Sequence, residues 1–135
     1  MTYSRVVVSL PTADRRTSFE FYREVFGVDA VGELADDGLP EPLQFDLNDG
    51  MRLMFIPRRG FGWVTGDHKV AGRGHSECLL SLSGDADELI ARARAAGAEI
   101  VAEPAKQPWG YAGTFADPDG HLWMITANPV PHGGS

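Results

Sequence analysis

The chain repeats itself at a fixed spacing, and that constrains its fold more than any single motif. Gly27 and Gly97 each close a run with helical periodicity, and they lie 70 residues apart. Phe45 and Phe115 are separated by the same 70 residues, as are the turns Asn48-Asp49-Gly50 and Pro118-Asp119-Gly120. Each copy must therefore adopt the same supersecondary unit, and the repeat is read before any fold is assigned.

The first copy opens on Val6-Val7-Val8-Ser9-Leu10, short and β-branched, hence a strand. Pro11 to Asp14 breaks it and offers capping oxygens. Ser18, Phe19, Tyr22, Val25 and Phe26 then recur at helical spacing, with Gly27 as the stop. The aromatics Phe19, Phe21, Tyr22 and Phe26 belong to a core, as aromatics at this spacing generally do. Val28 to Leu34 reads as a weak strand and Asp36 to Pro42 as a loop. Leu43 to Leu47 alternates into the Asn48-Asp49-Gly50 turn, and Met51 to Ile56 returns, ended by Pro57.

The second copy follows the same order. Glu77 to Leu82 reads as a strand. Asp85 has Glu88 three residues on, a capping-box-like start, and Leu89, Ile90, Ala93 and Ala96 form one apolar face before Gly97. Ala98 to Ala102 is a short strand ended by Glu103-Pro104. Tyr111 to Ala116 leads into Asp117-Pro118-Asp119-Gly120, where proline presets φ, glycine takes positive φ, and aspartate bonds nearby backbone N–H groups. The expected fold is α+β: two βαβββ units whose curved mixed sheets surround a shared cleft, a favoured place for a ligand. Residues 4–57 form unit one, 77–127 unit two and 128–135 a frayed tail, within a single domain spanning 1–135.

Residues 58–76 contain five glycines and no clear periodicity, as a module linker or a lid would. Trp63 and His68 either close over a ligand or rest on the outer surface. Arg58, Arg59, Lys69 and Arg73 gather here and read as a solvated loop. The formal charge of −7 with no basic stripe disfavours nucleic acid and anionic membranes as partners. The single cysteine, Cys78, excludes an intrachain disulfide framework. No run reaches the roughly 20 apolar residues of a spanning helix, and Met1 to Val6 lacks a signal-peptide pattern. A cytoplasmic protein is expected.

Three stretches carry a family resemblance: Val8-Ser9-Leu10-Pro11-Thr12-Ala13-Asp14 with Phe21-Tyr22 before Gly27, then Ala95-Ala96-Gly97-Ala98, then Phe115-Ala116-Asp117-Pro118-Asp119-Gly120-His121-Leu122-Trp123. Together they resemble the vicinal-oxygen-chelate superfamily of glyoxalases, bleomycin-resistance proteins and extradiol dioxygenases. In its enzymes, the first and last strand of each unit each supply a side chain, usually His or Glu, to a divalent metal. That metal is a Lewis acid at substrate oxygens. The resemblance maps those positions to Val7, Met54, Glu77 and Met124, which also obey the 70-residue spacing. Valine donates nothing, and a thioether is a poor ligand for hard or borderline cations. A slip of one residue swaps the faces but brings in only Val6 or Val8, Leu53 or Phe55, and Trp123 or Ile125, with Cys78 in place of Glu77. No metal and no cofactor are expected at this position. An improvised site from His75, Glu77 and His121 is the weak alternative.

The expected pocket is thus apolar and adaptable around Met54 and Met124. Val7, Ser9, Arg52, Glu77, Ser81 and Leu122 share the inward faces. Trp109 and Tyr111 either stack on a flat ligand or serve as edge or dimer contacts. Glu77 among valine and methionine would have a raised pKa or bind a cationic ligand, which also makes it the candidate acid or base of an enzyme. Trp123 and Cys78 are assigned to the core beneath the helices. The expected function is capture of an aromatic or amphipathic small molecule, as in the drug-resistance branch. The alternatives are a superfamily enzyme (lyase, isomerase or dioxygenase) and a non-catalytic interaction domain. Exposed sheet edges and the resemblance both imply a homodimer.

Overall fold

Two βαβββ units follow one another along the chain, the first within 1–70 and the second within 71–135. The computed structural model describes residues 2–66 and 68–127. The tail expected at 128–135 lies outside the described residues. Among them no helix is long and apolar enough to cross a membrane.

Unit 1 contains β1 (Val6–Thr12), α1 (Arg15–Phe26), β2 (Ala30–Val31), β3 (Leu43–Asn48), β4 (Met51–Pro57) and α2 (Arg58–Val64). Its sheet has the order β1-β4-β3-β2, with β1 parallel to β4 and the other pairs antiparallel. Helix α1 starts where Asp14 accepts from the Arg16 N–H at 3.1 Å, and its Thr17 hydroxyl donates to the same carboxylate at 2.9 Å. It stops at Gly27, whose φ of 68° is left-handed. Phe21, Tyr22 and Val25 of α1 are buried with Leu43, Phe45, Leu53 and Phe55 of the sheet. The Tyr22 ring lies 4.7 Å from Phe55 and 6.0 Å from Phe45, within the range of favourable aromatic contacts. Inside this core the Thr12 and Ser18 hydroxyls satisfy one another at 2.7 Å.

Unit 2 contains β5 (Leu79–Ser83), α3 (Ala86–Ala95), β6 (Glu99–Gln107), β7 (Gly110–Ala116) and β8 (Leu122–Thr126), in the sheet order β5-β8-β7-β6. Asp85 caps α3 by accepting from the Glu88 N–H at 3.1 Å. Ile90 and Ala93 are buried with Phe115, Trp123 and Ile125. A Cβ at Gly113 would stand 2.9 Å from Ile90, so glycine is what lets α3 come this close to β7. The hairpin turn forms as its residue types dictate. Asp117 is buried, and its Oδ1 accepts from the backbone N–H groups of Asp119 at 2.9 Å and His121 at 2.8 Å. Gly120 has φ 93°, a conformation that L side chains rarely adopt. Arg73 donates to the Pro118 carbonyl from outside the turn.

Five boundaries differ from the sequence expectation by two residues or more. Strand β1 runs on through Pro11 to Thr12 instead of breaking after Leu10, since it is an edge strand. The weak strand at 28–34 shrinks to Ala30–Val31. Helix α2 occupies part of the stretch read as linker or lid, despite Gly60 and Gly62 inside it. Strand β6 runs through Pro104 because it is an edge strand, where a missing N–H costs no ladder bond. Strand β5 begins at Leu79 rather than Glu77.

Candidate functional site

Strand register decides which side chains share a face. In unit 1, Leu43, Phe45, Leu53, Phe55 and Leu10 turn toward α1, so the alternate residues form the helix-free face. Two rows cross it. Ser9, Met54 and Gln44 stand opposite one another, and so do Val7, Arg52 and Asp46. In unit 2 the corresponding rows are Ser81, Met124 and Thr114, and Leu79, Leu122 and Ala116. Met54, Leu122 and Met124 are half-buried, while Val7, Ser9 and Ser81 are exposed. Seven of the ten expected pocket residues therefore lie on helix-free faces: Val7, Ser9, Arg52 and Met54 in unit 1, and Ser81, Leu122 and Met124 in unit 2.

Three residues lie elsewhere. Glu77 is exposed and precedes β5, outside the sheet, so the valine and methionine enclosure expected around it is not there. The reason is a change of spacing. Ser9 pairs with Met54 and Ser81 with Met124, so the first strands of the two units correspond at 72 residues while the last correspond at 70. Leu79, not Glu77, is the counterpart of Val7. Tyr111 shares the helix-side face of β7 with Gly113 and Phe115, and its hydroxyl donates to Asp87 of α3 at 2.6 Å. That bond to a carboxylate, with burial second, raises the Tyr111 pKa. Trp109 sits in the β6–β7 turn, 62% exposed. Trp63, 83% exposed, lies on α2. Trp123 is buried as expected, but Cys78 is exposed rather than in the core, since it also precedes β5.

The family metal positions, corrected for register, hold Val7, Leu79, Met54 and Met124. Two aliphatic side chains and two thioethers do not fit a hard or borderline divalent cation, and no chemical step is derived through one. Of the improvised set, His75 and Glu77 are exposed ahead of β5, and among the described residues His121 groups with Asp117 and Asp119 rather than with them. Among the described residues, Asp117, Asp119 and His121 do bring ligand-type atoms within 4.8 Å of one another. The Asp117 carboxylate already accepts, through Oδ1, two backbone N–H bonds that build the turn.

The feature that sequence reasoning missed is the pairing of Arg52. Its Nε and Nη2 donate to the two carboxylate oxygens of Asp46 at 2.6 and 3.1 Å, and its Nη1 donates to Gln44 at 3.2 Å. Arg5 donates to the same carboxylate at 2.6 Å. These two arginines, Arg52 foremost, hold the Asp46 pKa down at about 2, and Asp46 in turn raises that of Arg52. The signal was present in the hairpin: the turn sets the strand register that places Asp46 across from Arg52.

The comparisons agree with this architecture. The chain is similar to a glyoxalase-related enzyme from Fulvimarina pelagi, at 30% identity over 96% of this chain and 94% of that one, with a TM-score of 0.76. It is also similar to protein ATC0852 from Agrobacterium tumefaciens, at 29% identity over 96% and 100% of the two chains, with a TM-score of 0.70. TioX from Micromonospora sp. ML1 is 25% identical over 94% of this chain and 100% of its own, with a TM-score of 0.65. No curated protein sequence matches. The family model of the Glyoxalase/Bleomycin resistance protein/Dioxygenase superfamily matches residues 5–125, and the chain belongs to that superfamily.

Proposed function

We propose that the protein binds an aromatic or amphipathic small molecule on the helix-free sheet faces, without the metal its enzymatic relatives use. The observation that carries this reading is the pair of matched rows, Ser9–Met54–Gln44 and Ser81–Met124–Thr114. Each puts a half-buried thioether between hydroxyl and amide or hydroxyl neighbours, at a family ligand position. Methionine is polarizable and unbranched, so it moulds itself to an irregular ligand and packs well against a ring. A small number of polar groups beside an apolar surface is the usual make-up of a small-molecule site. A thermal-shift screen of aromatic metabolites and antibiotics tests the reading. Stabilising hits that Met54→Ala and Met124→Ala each weaken support it, and a panel without hits contradicts it.

A second reading, a superfamily enzyme, has one observation in its favour: the Fulvimarina pelagi relative is described as a glyoxalase-related enzyme. It would use a metal site other than the family one, or Glu77 as acid or base. Stoichiometric Zn, Ni, Mn or Fe in protein purified without added metal favours it over the binding reading, as does turnover that Glu77→Gln abolishes. We also propose a homodimer, which would cover exposed apolar side chains such as Trp63 and Trp109. Sedimentation showing a monomer at micromolar concentration contradicts it.

A further inference from the structure

The helix-free face of unit 1 carries charge that the methionine row leaves unexplained. Asp46 lies between two guanidiniums, Arg52 and Arg5. It is the single acid among the residues that β1, β3 and β4 place on that face. The cluster therefore has a net positive charge within a chain whose formal charge is −7. A guanidinium offers five N–H donors in a fixed fork. Among the described residues, Arg52 places three of them on Asp46 and Gln44, and Arg5 places one on Asp46. The rest belong to side chains that are 28% and 35% exposed. One carboxylate thus orients two forks while cancelling only one of their charges, which leaves a preorganised acceptor for a second anion.

The position of the cluster gives it a purpose. Arg52 and Met54 are alternate residues of β4, on one face and about 7 Å apart along the strand. That span suits a molecule with a ring at one end and an acidic group at the other. We propose that Arg5, Asp46 and Arg52 form an anion subsite holding the carboxylate or phosphate of an aromatic acid whose ring lies on Met54. The proposal rests on the aromatic-ligand reading above.

Calorimetric titration with 2-naphthoate, 2-naphthyl phosphate and neutral 2-naphthalenemethanol tests it. At least one anionic probe binds the wild-type chain about tenfold tighter than the neutral one, as expected for a charge-assisted hydrogen bond. The tighter anion of the two identifies the acidic group. Arg52→Gln collapses the anionic-to-neutral ratio. Arg5→Gln lowers it too, and because Arg5 lies ahead of β1, that variant tests the proposal even where Arg52→Gln fails to fold. Equal wild-type affinities for all three probes overturn the anion subsite alone, as does a ratio that survives both substitutions. A chain that binds none of the three overturns the aromatic-ligand reading and the subsite with it.

Discussion

Units 1 and 2 share strand order, strand register and turn positions, yet one row of their helix-free faces differs in charge. Ser9 and Met54 correspond to Ser81 and Met124, so the methionine row is common to both. In the adjacent row, unit 1 has Arg52 paired with Asp46 where unit 2 has Leu122 beside Ala116. The framework is kept by buried residues and turn chemistry, while the exposed face is free to change. The shared methionine row carries the proposed ring contact, and the row that differs carries the proposed anion subsite.

The cores differ in the same manner. At the position where unit 1 buries Leu43, unit 2 has Gly113 and brings Ile90 of α3 into the space. Trp123 stands where unit 1 has Leu53. Trp123→Ala removes the largest buried side chain and destabilises the protein by about 3–5 kcal/mol, seen as a lower denaturant midpoint. Gly113→Ala sets a methyl 2.9 Å from Ile90 and 3.2 Å from the Pro104 ring. It costs about 1–3 kcal/mol by overpacking. A neutral outcome for Gly113→Ala would mean that α3 does not depend on this close approach, and the contrast with Leu43 would fall.

The caps test what the units have in common. Asp14→Ala and Asp85→Ala each cost about 1 kcal/mol, since each removes an acceptor for a first-turn N–H. Equal losses sharpen the claim of one unit used twice. The smallest expected effect is acid-dependent and confined to unit 1. The Asp46 pKa falls from its ordinary 3.8 to about 2 because the arginines favour the charged carboxylate. Its contribution is therefore fully present above the unfolded value and is lost as pH falls through about 2. Side-chain NMR titration gives that midpoint directly. The stability difference between wild type and Asp46→Asn is constant near neutral pH and vanishes in strong acid. An Asp46 midpoint near 4 would contradict the pairing.

Much of the fold was legible in local chemistry. Asp14, Gly27, Asp85 and the Asp117–Gly120 turn each announce an element end, because capping and positive φ restrict residue type at single positions. The start of β5 was not legible. Glu77-Cys78-Leu79-Leu80 does not alternate, and a constant spacing carried over from Gly27 and Gly97 placed the strand two residues early. The chain between β5 and the end of α3 is two residues shorter than its counterpart in unit 1, where α1 has 12 residues against 10 in α3. That shortening moved Glu77 off the face and put Leu79 on it. Helix α2 was hidden by Gly60 and Gly62, each worth about 1 kcal/mol against a helix interior. At the candidate site, the face that Met54 and Met124 occupy was legible because turns fix the last strand of each unit. Tyr111 was misplaced because it was read with Trp109 as part of a ligand-facing pair, whereas β7 begins at Gly110 and its alternation puts Tyr111 on the helix side with Gly113 and Phe115.

The central claim is that the methionine rows receive an aromatic ring. Methionine labelled with carbon-13 at the methyl group reads it directly, because Met51 turns to the opposite face of β4 and serves as an internal control. On titration with neutral 2-naphthalenemethanol, the Met54 and Met124 methyl signals move saturably through the ring's field while Met51 stays in place. Signals from Met54 and Met124 that do not move, or that move no more than Met51, would contradict the account.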